Sequence, residues 1–168
     1  MKDVYVEWMV NRRPSKLFKA LRVLCIVLTV VFAFLFLLSF GNFWALLLAV
    51  AMGIATHYAK SFTQVEYEYI YVNGDMAVDR ILGKERRKRL IIYDMNKVEI
   101  VAPLGSPKLD GFAHKNYKQV DYTSGVRKPG SHIFVMYYAE GEKVLLEPNR
   151  DLVEAMRDHL PYKVHMEI

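Results

Sequence analysis

Between Arg22 and Lys60 the chain carries no charged residue at all. Val23 to Phe40 is an 18-residue apolar block whose most polar members are Cys25, Thr29 and Ser39. After Gly41-Asn42, a second block of 17 residues runs from Phe43 to Ala59. A helix needs about 20 residues (range roughly 17–25) to cross a hydrocarbon core near 30 Å thick. A core helix of a soluble protein would show a polar stripe at period 3.6, and neither block does. The pair predicts a transmembrane helical hairpin over residues 23–59, with spans 23–40 and 43–59.

Charge sets the expected topology. Residues 1–22 hold six basic residues (Lys2, Arg12, Arg13, Lys16, Lys19 and Arg22) against Asp3 and Glu7, a net +4 of the whole-chain +5. Basic residues beside a helix end hold that end in the cytoplasm. Two spans bring the chain back to the same side. The expectation is an integral protein of the cell (inner) membrane, with a basic cytoplasmic segment 1–22 and a cytoplasmic domain 64–168. A signal peptide fits less well, because its apolar region runs only about 7–15 residues after a short leader. Cys25, the only cysteine, lies in the first span, so no intrachain disulfide can form. Residues 60–168 carry 17 basic and 16 acidic residues, too even a balance for a nucleic-acid partner. The bilayer is the partner that the composition implies.

Ala45, Ala49 and Gly53 recur four apart on the second span, a small-residue row that lets helix backbones approach closely in lipid. The row is expected to pack within the hairpin; the sharper alternative is a dimer or a larger membrane complex through the same face. His57 and Tyr58 fall near the span's end, where amphipathic rings suit the interface. Residues 1–16 are read as peripheral. Val4, Tyr5, Trp8 and Met9 would line a short interfacial helix with Trp8 as headgroup anchor, whereas the Val4/Val6 alternation suits a strand.

Past residue 64 the pattern changes to short strands. Val65, Tyr67, Tyr69 and Tyr71 alternate with Glu66 and Glu68, as in a half-buried strand, and Asn73-Gly74 signals a type I′ hairpin. Further strands are expected at 76–82, 90–93, 98–102, 117–122, 133–138 and 143–147, seven in all. A helix over 149–160 follows, capped by Asn149 and striped by Leu152, Val153, Ala155, Met156 and Leu160. Seven strands closed by one amphipathic helix is the order of a pleckstrin-homology-like (PH-like) split barrel, whose open end the helix would plug. The fold class expected is thus a membrane α-hairpin plus an α+β domain.

The chain also resembles an uncharacterised family of small bacterial two-helix membrane proteins with a PH-like cytoplasmic domain. Val4-Tyr5-Val6-Glu7-Trp8, Glu66-Tyr67-Glu68-Tyr69, Arg86-Arg87-Lys88-Arg89, Ala102-Pro103-Leu104 and Leu146-Glu147-Pro148-Asn149 carry the resemblance. It implies architecture and location, and no active site or ligand. Eukaryotic PH domains bind phosphoinositides through basic residues of their first hairpin. The matching tip here, Asn73-Gly74-Asp75, has no Lys or Arg, so headgroup specificity is not carried over.

No catalytic, cofactor or metal constellation stands out. The five histidines form no metal-ligand spacing, the glycines form no phosphate loop, and no serine sits in a Gly-x-Ser-x-Gly context. Asp110 and His114 are the best acid–base pair, in a loop where incidental charges explain them better. An enzyme is not expected. Two surface features are candidates for binding. The run Lys84, Arg86, Arg87, Lys88 and Arg89 would add ~1 kcal/mol per residue toward anionic lipid headgroups if it faced a membrane. On a hairpin tip, it would equally discourage edge pairing. The loop 103–116 with Tyr117 is where a cytoplasmic protein partner is expected, through Lys108, Asp110, Phe112, His114 and Tyr117. The function read from all this is a membrane-tethered binding or scaffolding module. The alternative is a structural or regulatory subunit of a larger membrane protein complex.

Overall fold

The computed structural model describes residues 4–39, 41–112, 116–127, 132–139 and 141–166. The chain forms two compact units. One is helical and comprises Arg13–Val65 with Leu82–Arg86. The other is a β unit comprising the chain up to Arg12, Glu66–Ile81, and the chain from Arg87 onward.

In the helical unit, Pro14 precedes Ser15, whose Oγ accepts the Phe18 N–H at 3.3 Å and opens helix α1, Lys16–Leu38. Gly41 takes φ +88°, which only glycine adopts without strain. Asn42 Oδ1 then accepts the Trp44 N–H at 3.0 Å and opens α2, Phe43–Thr63. Helix α1 begins seven residues before the first apolar block and ends at Leu38, inside it, whereas α2 runs four residues past the second block to its cap at Gln64. Phe40, the expected end of the first span, lies outside the described residues. Both are long and apolar enough to cross a membrane, and α1 buries no residue in the chain. It is therefore no core helix of this protein. Cys25, Leu28, Thr29, Phe32 and Phe36 form the half-buried side of α1, which packs along α2. Thr29 and Thr56 donate their hydroxyls to the carbonyls of Cys25 and Met52, four residues back. Each polar group is thus satisfied inside its own helix, as an apolar solvent requires.

The β unit holds two four-stranded sheets. The first runs β1 (Tyr5–Arg12), β2 (Val65–Val72), β3 (Asp75–Leu82), β4 (Arg86–Asp94) in spatial order. The second contains β5 (Val98–Pro103), β6 (Lys118–Asp121), β7 (Phe134–Tyr138) and β8 (Glu142–Leu146), ordered β5-β7-β8-β6. β6 lies parallel to β8, and the pairings of β7 are antiparallel. Eight strands replace the seven expected. The additional one is β1, in the segment left open between interfacial helix and strand. The edge of β2 decides the matter: Val4 N–H donates to Asn73 Oδ1 at 3.1 Å, and Asn73 N–H to the Val4 carbonyl at 3.3 Å.

Asn73 and Gly74 take φ +48° and +100°, the left-handed pair that a type I′ turn requires. Tyr69, Tyr71, Tyr93, Met136, Leu146 and Met156 are fully buried. Helix α3, Arg150–His159, starts where Asn149 Oδ1 accepts the Leu152 N–H at 3.0 Å, and it buries Leu152, Val153 and Met156. Two stacked surfaces therefore need each other: neither a one-faced sheet nor α3 could hide its apolar side alone.

Candidate membrane-surface site

The helical unit gathers basic charge. It contains Arg13, Lys16, Lys19, Arg22, Lys60, Lys84 and Arg86 against a single acid, Glu85. Four of these stand in the lead-in and first turns of α1, and Lys60 in the last turn of α2. Lys84 and Arg86 come from the β3–β4 tip. That tip joins the same end of the hairpin because Gly83 N–H donates to the carbonyl of Gln64, the C-cap of α2, at 2.8 Å. Lys84 sustains φ +64° in this tight turn. All seven cations are thus collected at one end of two apolar helices.

The run Lys84–Arg89 does not act as one patch. Strand alternation splits it. Arg89 forks onto the buried Asp79 of β3, with Nε at 2.9 Å from Oδ1 and a terminal nitrogen at 3.4 Å from Oδ2. Arg87 pairs with Glu68 of β2, which is only 1 % exposed. These two arginines are held by carboxylates of the β unit, whereas Lys84, Arg86 and Lys88 form no ion pair among the described residues. Glu68 alternates with tyrosines in a strand expected to be half-buried, yet it is buried with Tyr67 and Tyr69. Burial, first, and the neighbouring Glu7 carboxyl, second, push its carboxyl above the ordinary range, with Arg87 pulling the other way. Glu7, which accepts the Tyr5 hydroxyl at 2.6 Å, is held below that range by that bond and by the bond to Glu68.

Trp8 belongs to the β unit. Its indole N–H donates to the Glu147 carbonyl at 2.9 Å, and it lines a groove of about 760 Å³ with Val10, Phe134, Pro148, Val153 and Met166. Sequence reading missed this groove, because its walls come from β1 and from the start of α3, 139 residues apart at Trp8 and Glu147. In the loop expected to meet a partner, Lys108 and Asp110 are exposed, Leu109 is buried, and Phe112 and Tyr117 are half-buried. Phe112 stacks on Tyr137 with ring centres 5.2 Å apart, and Tyr117 meets the same ring at 4.7 Å. Together they cover a cluster formed by Ile100, Leu109, Val135 and Leu145. Tyr117 donates to Glu99 at 2.7 Å, and burial, then Glu99, pushes its hydroxyl up to about 12. Lys108 Nζ lies 2.9 Å from Nδ1 of His165. An ammonium only donates, so that nitrogen accepts. Burial, then Lys108, holds the His165 imidazole below its usual value. Asp110 stands in the short helical turn Pro107–Phe112, and its expected partner His114 lies outside the described residues.

Ala45, Ala49 and Gly53 lie on the half-buried side of α2. A Cβ built on Gly53 would meet no atom within 4 Å, so α1 does not use this glycine for close backbone approach. Among the described residues no group of three His, Cys, Asp or Glu side chains could hold a metal ion.

The model of a family described as a bacterial PH-like domain (DUF6106) matches residues 2–166. The chain belongs to that family, a PH-like domain of unknown function. A comparison with curated proteins finds no match.

Proposed function

We propose that this bacterial PH-like protein is a membrane-tethered binding or scaffolding module, with α1 and α2 crossing the inner membrane and both termini in the cytoplasm. One observation carries the reading: seven cations and one acid confined to the helical unit, all at one end of the hairpin. Basic residues at helix ends keep that end cytoplasmic. Each one near an anionic surface adds about 1 kcal/mol of attraction. The exposed apolar side chains of both helices, Leu37, Phe43, Trp44 and Ile54 among them, find their solvent in lipid. The β3–β4 tip then stands at the headgroup level beside Gln64. The β unit supplies the binding surface, with the Trp8–Glu147 groove as its cavity of about 760 Å³.

The test uses the single cysteine. In a Cys25→Ser background, Glu85→Cys and Asn42→Cys are labelled with a membrane-impermeant maleimide in spheroplasts and in inverted vesicles. Glu85→Cys should label only in inverted vesicles, and Asn42→Cys only in spheroplasts. Release of the protein by alkaline carbonate, or the opposite labelling, would overturn the reading.

The open space at Gly53 favours a second reading, a structural or regulatory subunit of a larger membrane complex. Ala49→Leu with Gly53→Leu should then abolish co-purification of a membrane protein. Under the tether reading, the same substitutions leave the co-purified set unchanged.

A further inference from the structure

The helical unit contains a cleft of about 390 Å³ where the start of α1 meets the end of α2, lined by Lys19, Arg22, Val23, Ile26, Thr63 and Gln64 among others. Its walls divide by chemistry. Val23 and Ile26 continue the apolar surface of α1, while Lys19 and Arg22 bring two positive charges. Thr63 is 7 % exposed, and its hydroxyl is spent on the Lys60 carbonyl.

Arg22 is the informative member. It is half-buried, and its Nε is fully covered without an acceptor among the described residues. Leaving a buried donor of a charged group unpaired costs roughly 1–3 kcal/mol or more, so such groups normally have partners. Among the described residues no ion pair joins Arg22 or Lys19 to an acid, and Glu85 is the one acid in the unit's sequence. The cleft therefore has fork-shaped guanidinium donors, a neighbouring ammonium, no carboxylate and an apolar floor.

We infer that this cleft binds one phosphate ester anion, with Arg22 as the fork and Lys19 as the second charge. The source we assign is an anionic phospholipid of the inner leaflet. Guanidinium and phosphate match in a bidentate way that ammonium cannot copy. The volume lies at the low end of the ~300–1,000 Å³ typical of ligand pockets. It suits a headgroup, with the acyl chains leaving along Val23 and Ile26 into the bilayer. The assignment presupposes the membrane-spanning reading above, but it differs from the general attraction of the basic end. A site holds one lipid and resists salt, whereas diffuse attraction holds none in particular and is screened.

The experiment is native mass spectrometry of full-length protein extracted from vesicles of phosphatidylglycerol and phosphatidylcholine, washed in about 1 M NaCl, where screening acts over roughly 3 Å. The wild type should keep one phosphatidylglycerol per chain. Arg22→Gln should lower that occupancy about tenfold, the scale of a hydrogen bond to a charged group, and Arg22→Lys should fall between. Val23→Trp, which fills the cleft without touching a charge, should also lose the lipid. Lys84→Gln and Arg86→Gln should keep it. Unchanged occupancy in Arg22→Gln and Val23→Trp, or equal loss in the tip variants, would overturn the site. Displacement by glycerol 3-phosphate would give the cleft to a soluble ester and sink the lipid assignment. A cleft that retains nothing in a protein that resists carbonate extraction fails alone. A protein that carbonate removes takes the tether reading down with it.

Discussion

The two units spend their apolar residues in opposite ways. The β unit hides Tyr69, Tyr93, Met136, Leu146 and Met156 completely and balances 16 basic residues with 17 acids. The helical unit leaves Leu37, Phe34 and Trp44 uncovered and carries a charge of +6. The same side-chain chemistry is thus covered in one unit and exposed in the other. Burial inside the chain stabilises one unit, and an apolar surrounding would have to stabilise the other, because water would penalise so much exposed area.

The contrast is sharpest for one substitution made twice. Leu146→Ala, in the core, should cost about 2–5 kcal/mol. Leu37→Ala, 73 % exposed, should change stability in detergent by about 0.5 kcal/mol or less. Chemical denaturation followed by tyrosine fluorescence compares them, and equal losses would break the distinction. A smaller effect separates the two halves of the basic run. Arg89→Gln leaves Asp79, which is 2 % exposed, without its fork and should lower the stability of the β unit by about 1.5–3 kcal/mol. Lys84→Gln with Arg86→Gln should leave that stability alone and weaken salt-sensitive binding to anionic vesicles instead. Reversed outcomes would reassign the run.

The glycines give a finer comparison. A Cβ on Gly74 would lie 2.9 Å from the His159 ring, at φ +100°, so Gly74→Ala should cost about 1–3 kcal/mol. Gly53→Ala meets open space in a helix and should be neutral or stabilising by up to about 1 kcal/mol. The smallest effect concerns pH. The imidazole of His165 is depressed, so the folded state disfavours its proton. Its contribution is complete above the ordinary value near 6.5 and is lost as pH falls below it. Lys108→Met should move the His165 titration upward in an NMR experiment and lessen that acid sensitivity. An unmoved titration would mean that burial alone sets the value.

Features readable along the chain were the local ones. The apolar blocks, the Asn73-Gly74 turn, the Asn149 cap and the stripe of α3 each depend on residues within a few positions of one another. β1 escaped because its partner β2 begins after both helices, and a peripheral strand looks like an interfacial helix until an edge is offered to it. The contacts of Phe112 and Tyr117 with the Tyr137 ring were not legible, because loop aromatics in a sequence carry no sign of the ring they meet. The burial of Glu68 was not legible either: alternation suggested a half-buried strand, whereas Tyr67, Glu68 and Tyr69 are all buried. Arg87 from β4 pairs with Glu68.

By itself, the sequence determined that two uncharged apolar stretches stand beside a basic end and precede a small β domain, because length, hydropathy and charge are sums over neighbouring residues. Only the tertiary structure decided which cations remain unpaired and where they meet. Strand pairing ties Arg87 and Arg89 to acids of β2 and β3, while one backbone bond from Gly83 to Gln64 carries Lys84 and Arg86 to the end of the hairpin. Such meetings depend on contacts between residues distant in the chain, and no local pattern records them.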